Sequence, residues 1–374
     1  MPDLAGLYVH VPFCKSKCPY CDFFSIVAPD QQAAYLEDLK REAQLYAQSH
    51  GPFDSLYVGG GTPSALGQKQ LTQLLLALKA GFSFEENPAR GTEVTVELNP
   101  ADVDSNLLTS LQQAGVNRLS LGVQSFDDAE LRLLGRRHDR SIALQAIEKI
   151  QKAAFASLGI DLIYGLPGSS VDKWRSNLET AVSLNPKHLS CYALTVATET
   201  PFGNLHARGR LELPDEALDV ALFDETCRVL DRAGFEHYEV SNFARRKEFR
   251  SRHNQKYWRR VPYLGLGPAA HSFDGRNRWF NFSNLDDYHE AAQAGLHPVE
   301  SFEEIDPEKA RLESIALGMR TSDGVALDLI QSGAQAADQV NLLLDQGLVS
   351  VVGQRLRPSQ KGFLVADGIA KLLC

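Results

Sequence analysis

Three cysteines crowd together near the start of the chain, Cys14, Cys18 and Cys21, with three and then two residues between them. Disulfide frameworks belong to small secreted domains, so a tight cysteine cluster in a chain of this size points to metal. Thiolates are soft ligands suited to iron–sulfur clusters, and a four-iron cluster takes four ligands. Only three are local here, which leaves one iron open to a small molecule. The alternative is zinc completed by a histidine such as His10. Structural zinc sites usually pair two short hairpin-like spacings, and no second such pair occurs. Cys191 lies in an apolar strand-like run and Cys227 in an amphipathic helical one, so both read as small core residues, while Cys374 sits at an end expected to fray.

A second set of residues suits ligand binding rather than packing. It comprises Gly59-Gly60-Gly61-Thr62-Pro63, Glu97-Leu98-Asn99-Pro100, Gln124-Ser125 and Gly165-Leu166-Pro167-Gly168. Each follows an apolar, β-branched run, at 56–58, 94–98, 119–123 and 160–164, with further runs at 7–11 and 189–194. Between them lie helical periods such as Leu71, Leu74, Leu75, Leu78 and Phe82, and Gly115 is placed to end a helix near Ala114. Alternating strands and helices mean parallel strands joined by crossovers, in a doubly wound sheet or a barrel. Chemistry in such folds gathers at the carboxyl ends of strands, so these segments should converge on one site.

The chain has 374 residues, of which 44% are hydrophobic and 23% charged, enough for one large domain and a smaller one. Its formal charge of -9 argues against a protein whose main task is gripping nucleic acid. No apolar stretch approaches the roughly 20 residues needed to span a bilayer, and the first residues lack a basic segment followed by an apolar one. The expectation is a cytoplasmic protein. After about residue 235 the alternation weakens. From about 307 the chain reads as helical, with a short hairpin over 348–357 before a last helix. We therefore expect domains at 1–235 and 236–374, the second α+β and winged-helix-like.

The three-cysteine spacing resembles that of the radical S-adenosylmethionine (radical SAM) superfamily. That resemblance implies a partial or full (β/α) barrel and a 4Fe-4S cluster whose open iron binds the methionyl amine and carboxylate. It also implies reductive cleavage to a 5′-deoxyadenosyl radical and an electron donor for the cluster. The segments Tyr8 to Cys14, Gly59 to Ser64, Gly122 to Phe126 and Asp161 to Gly168 are together similar to the oxygen-independent coproporphyrinogen III oxidase group. By that similarity Tyr8, Gly60 and Glu97 belong to the S-adenosylmethionine at the cluster. Gly61, Thr62, Gln124, Arg136 and Asp161 match positions that contact a second S-adenosylmethionine in the oxidase. Chemically, Glu97 and Asp161 are acceptors for hydroxyl or amine groups, Gln124 donates and accepts, and Arg136 can clamp a carboxylate with two hydrogen bonds. Taken singly, Glu97 and Asp161 could equally serve turns and caps.

The oxidase type carries a further cysteine two residues after the third cluster ligand, where this chain has Phe23. His253-Asn254-Gln255-Lys256-Tyr257-Trp258 resembles the signature of the group's heme-chaperone branch. That implies heme binding, with His253 as candidate iron ligand, and transfer to an acceptor protein such as a respiratory cytochrome. The surrounding basic stretch of Arg245, Arg246, Lys247, Arg250, Arg252, Lys256, Arg259 and Arg260 suits propionates, or is a solvated face beside two core aromatics. His271, in Gly265 to Ser272, ranks below His253 as a ligand, with His10 also open. The alternatives are oxidative decarboxylation of coproporphyrinogen III, which Phe23 and the His253 segment oppose, and a radical enzyme on another substrate such as RNA, which the acidic balance opposes.

Overall fold

The computed structural model describes residues 3–86, 91–330 and 333–374. Strands β1 (Ala5–Val11), β2 (Phe53–Gly60), β3 (Glu93–Leu98), β4 (Arg118–Gln124), β5 (Ser157–Tyr164) and β6 (His188–Ala193) run parallel, each paired with the next in chain order. A doubly wound sheet reverses its order part-way, whereas this one continues in a single direction as a barrel wall does. Strand β7 (Glu236–Glu239) with β8 (Asn242–Ala244) closes the β6 edge. On the other edge β9 (Tyr263–Leu266) runs parallel to β1 and leads into antiparallel β10 (His271–Phe273), β11 (Asn277–Asn281) and β12 (Val299–Glu304). The boundary expected at residue 235 thus falls inside the sheet.

A smaller apolar core around Ile315, Met319, Leu343, Leu356 and Ile369 lies in the C-terminal part. Its three strands are β13 (Val325–Ala326), β14 (Val349–Val352) and β15 (Arg355–Pro358), ordered β13-β15-β14 and antiparallel, with helices Pro307–Gly318, Ala334–Asp345 and Ala366–Leu373. This is the expected α+β mixture, and the hairpin read from the sequence is present. Among the described residues no helix is long and apolar enough to cross a membrane.

The crossover helices show why the barrel holds. Helix Gly67–Gly81 buries Leu71, Leu74, Leu75 and Leu78 along one face, each contributing about 1.5–3 kcal/mol against exposure. Gly115, at φ +81°, ends the turn after helix Ser105–Gln113, a conformation that glycine adopts without steric cost. Parallel strands covered on both faces usually read as unbroken apolar runs. These alternate instead. Leu56, Val58, Val94, Val96, Leu119, Leu121, Ile160 and Leu162 join the core beneath the helices, whereas Tyr57, Thr95, Glu97, Ser120, Asp161 and Ser190 line a cavity on the inner face.

Candidate functional site

That cavity has a volume of about 430 Å³ and reaches from the strand ends into the barrel. Cys14, Cys18, Cys21, Gly60, Gly61, Thr62, Glu97, Gln124, Arg136 and Asp161 all line it, so ten of the twelve residues singled out from the sequence share one wall. The cysteine loop leaves β1 and is closed by paired backbone bonds, Cys14 N–H to the Ile26 carbonyl at 2.9 Å and Ile26 N–H to the Pro12 carbonyl at 2.7 Å. The glycine loop runs alongside it. Gly61 N–H donates to the Val11 carbonyl and Thr62 N–H to the Phe13 carbonyl, both at 2.8 Å. A Cβ on Gly61 would stand 2.9 Å from the Phe13 carbonyl oxygen and 3.1 Å from Cys14 Sγ, so only glycine lets the loops lie this close. Buried Asp102 pins them, accepting from Lys15 at 2.8 Å, Ser64 at 2.9 Å and Arg137 at 2.8 Å.

Burial pushes the Cys21 thiol up, and the charge of a bound metal centre would favour the thiolate against it. Among the described residues no three His, Cys, Asp or Glu side chains are gathered as a single-ion site. The zinc alternative also loses its fourth ligand, because His10 does not line the cavity. His10 Nε2 faces the Phe24 carbonyl at 2.8 Å and Nδ1 faces the Tyr8 hydroxyl at 3.1 Å. Burial lowers its pKa to about 4, so the ring is neutral, with Nε2–H donating and Tyr8 donating to Nδ1.

Four buried polar atoms on the cavity wall have no partner, namely Ser25 Oγ, Thr95 Oγ1, Arg136 Nε and His188 Nδ1. Buried polar groups are nearly always hydrogen-bonded, so this wall fits a polar ligand. Arg136 donates from Nη2 to the Gly122 carbonyl at 2.7 Å and from Nη1 to Cys18 Sγ at 3.5 Å, which sets its cation beside the thiols. Glu97 accepts from the Tyr57 hydroxyl at 2.7 Å. Burial, with the Asp161 charge behind it, raises Glu97 to about 7, while the Tyr57 and Gly60 hydrogen bonds act against the rise. Asp161 is likewise raised by burial and accepts from Ser120 at 2.8 Å. Gln124 is held at φ +70° beyond a bulge in β4. That conformation is costly for a residue with a side chain, and it turns the amide back over Gly122, whose absent Cβ would stand 2.8 Å from Nε2.

Two expected site residues lie outside the cavity. Tyr8 sits behind it, against His10. His253 is 1% exposed in helix Arg252–Trp258, with Nδ1 3.0 Å from Ser55 Oγ and Nε2 2.9 Å from the Tyr257 hydroxyl. Burial and the Lys256 charge lower it to about 3. As folded, neither ring nitrogen is open to iron, a correction to the expectation for His253 that follows from the helix packing under β1 and β2. Several cations of the basic stretch are engaged within the protein. Arg245 donates to the Pro186 and Ala233 carbonyls, Arg250 pairs with Glu236, Lys256 with Asp54, Arg259 with Asp323 and Arg260 with Glu313. These cations bind the following segments to the barrel and are not a reserve for propionates.

Sequence reasoning missed Tyr57, Thr95, Asp102, Arg118 and His188. Four of them lie on strands at the polar positions of the period-two alternation, which was the available signal.

The protein named heme chaperone HemW in Lactococcus lactis is 33% identical over 372 residues, across 97% of this chain and 95% of that one. The chain belongs to the HemW family. HemW of Synechocystis is 36% identical over 335 residues, covering 87% of this chain and 79% of its own. The radical SAM superfamily model matches residues 8–181, and the HemN C-terminal domain model matches 305–365. The solved coproporphyrinogen III oxidase HemN of Escherichia coli, a radical SAM enzyme, superposes with a TM-score of 0.84 at 25% identity over 100% of this chain and 91% of that one.

Proposed function

We propose that this HemW-family chain binds heme and passes it to an acceptor protein, and that its cavity holds a 4Fe-4S cluster together with S-adenosylmethionine. Phe23 carries the choice against an oxidase. It stands where the oxidase type has a further cysteine, and it is 65% exposed on the cavity rim. So large an aromatic surface left open at a cavity mouth suits a flat apolar ligand or a partner protein. Near full-length similarity to proteins named heme chaperones supports the same reading.

Cys14, Cys18 and Cys21 would hold the cluster, which when bound supplies one-electron chemistry and an open coordination position. Glu97 would accept hydrogen bonds from the sulfonium ligand, Gln124 and Asp161 would fix its polar edge, and Arg136, beside Cys18, would meet a carboxylate. Tyr8 acts at one remove, by orienting His10. For heme iron the candidate is His271. It is exposed, its ring stacks on Phe280 at 5.1 Å, and partial desolvation together with the Arg278 charge favours the neutral ring that ligates iron. An electron donor for the cluster and a heme acceptor, such as a respiratory cytochrome, complete the scheme. Titration of the purified chain with hemin tests it. His271→Ala should lower occupancy or shift the Soret band while His253→Ala leaves both unchanged. The reverse result, with folding intact, would return the iron to His253.

A further inference from the structure

Below the strand-end residues the cavity has a floor that the cluster and its sulfonium ligand do not account for. Arg118 opens β4 and is 5% exposed. Its partners are neutral, the Ser157 hydroxyl at 3.2 Å and the Phe249 carbonyl at 2.8 Å. Thr95, its direct cross-strand neighbour on β3, is fully buried with Oγ1 unpartnered. Two strands along, at the start of β6, His188 is 3% exposed with Nδ1 unpartnered. All three line the cavity, and Asn254 from helix Arg252–Trp258 joins them.

The hydrogen bonds around His188 settle what its free nitrogen offers. The Tyr238 oxygen accepts from Ser251 N–H at 3.3 Å and lies 2.8 Å from His188 Nε2. Nε2 is the one acceptor at hand for the tyrosine's own proton among the described residues, so the hydroxyl donates to it. A neutral imidazole that accepts at Nε2 carries its hydrogen on Nδ1, and burial keeps this ring neutral. Gly159 leaves room before that N–H, since a Cβ there would be 3.3 Å from Nδ1. The floor thus presents a guanidinium, an imidazole N–H and a hydroxyl, all able to donate, with Asp161 the nearest charge of opposite sign that Arg118 feels.

We infer that this floor is a binding site for the carboxylate of a small ligand, held by Arg118, Thr95 and His188. One buried cation balances one negative charge. A phosphate dianion would bring a second charge towards Asp161 and Glu97, which share the cavity. The site lies deeper in the same cavity, where β4 and β6 begin, away from the cysteine and glycine loops.

Thr95→Val tests this cleanly, because it removes a hydroxyl that no protein group uses while keeping the side-chain shape. Calorimetry on the full chain with its cluster reconstituted, using glutarate and inorganic phosphate as probes, should show glutarate binding that weakens about tenfold in Thr95→Val. The melting temperature should hold or rise. Arg118→Lys, which keeps the charge but loses the planar fork, should weaken binding more. Hemin occupancy, followed in parallel, should not change in either variant, so failure of the heme reading would leave this result standing. Glutarate affinity unaltered in both folded variants, or phosphate binding more tightly than glutarate through the same residues, would overturn the assignment.

Discussion

Gly60 rests against the imidazole of His10, so closely that a Cβ there would stand 2.8 Å from two ring atoms, and its backbone is held at φ +112°. Glycine is therefore required by the ring behind it and by its backbone angle. Since His10 also holds the Phe24 carbonyl of the cysteine loop, Gly60→Ala should cost about 1–3 kcal/mol of stability. It should also reduce iron retention, as read by chemical denaturation and iron content. A fully stable Gly60→Ala with only sulfonium binding lost would make Gly60 a direct ligand contact.

Removing any one of the three thiolates leaves an iron with two vacant positions. Cys14→Ala, Cys18→Ala and Cys21→Ala should each abolish stable cluster assembly in absorption and Mössbauer spectra. Cys191, buried in β6, packs in the core, and Cys191→Ala should keep the cluster while losing some stability. An intact four-iron spectrum in the triple variant would remove these residues from the site.

Asp102 ties the cysteine loop, the glycine loop and Arg137 together. Burial opposes its charge, yet the hydrogen bonds from Arg137 and Lys15 prevail and hold the carboxyl below its usual value. A folded value below the unfolded one, about 3.9, means stabilisation that is complete above that pH and lost as the pH falls through the folded value. Asp102→Asn should remove this part of the acid sensitivity and cost on the order of 2 kcal/mol at pH 7. Identical acid unfolding curves for variant and parent would show that the staple carries no weight.

Glu97 has the opposite sign. Its folded value of about 7 lies above the unfolded one, about 4.3, so its protonated form favours folding and that contribution is lost as the pH rises towards and through 7. A carboxylate accepting from the sulfonium ligand works in the other direction, so affinity should climb across roughly pH 6 to 8. Glu97→Gln should flatten that profile and weaken binding about tenfold at pH 8. A pH-independent affinity in the parent would place the ligand away from Glu97.

The six parallel strands and the shared wall of cysteines, glycines and strand-end polar groups were legible because period-two alternation and punctuation by glycine and proline are local signals. Tertiary packing was not. His253 is a candidate ligand through the resemblance of its segment, which cannot reveal that Ser55, from β2, and Tyr257 occupy its two nitrogens. The basic stretch looked free because its acidic partners Asp54, Glu313 and Asp323 are distant in sequence. Arg118 and His188 open β4 and β6, at the far end from the carboxyl ends of the strands where chemistry in such folds gathers.

The most direct test of the central claim uses one anaerobic preparation with its cluster reconstituted and S-adenosylmethionine present. It is divided between coproporphyrinogen III and a heme-transfer assay in which hemin-loaded protein meets an apo-cytochrome. Heme should move to the acceptor, with the Soret band following it, while no protoporphyrinogen forms. Sustained production of protoporphyrinogen, with heme left on the protein or never bound, would contradict the account and make the chain an oxidase.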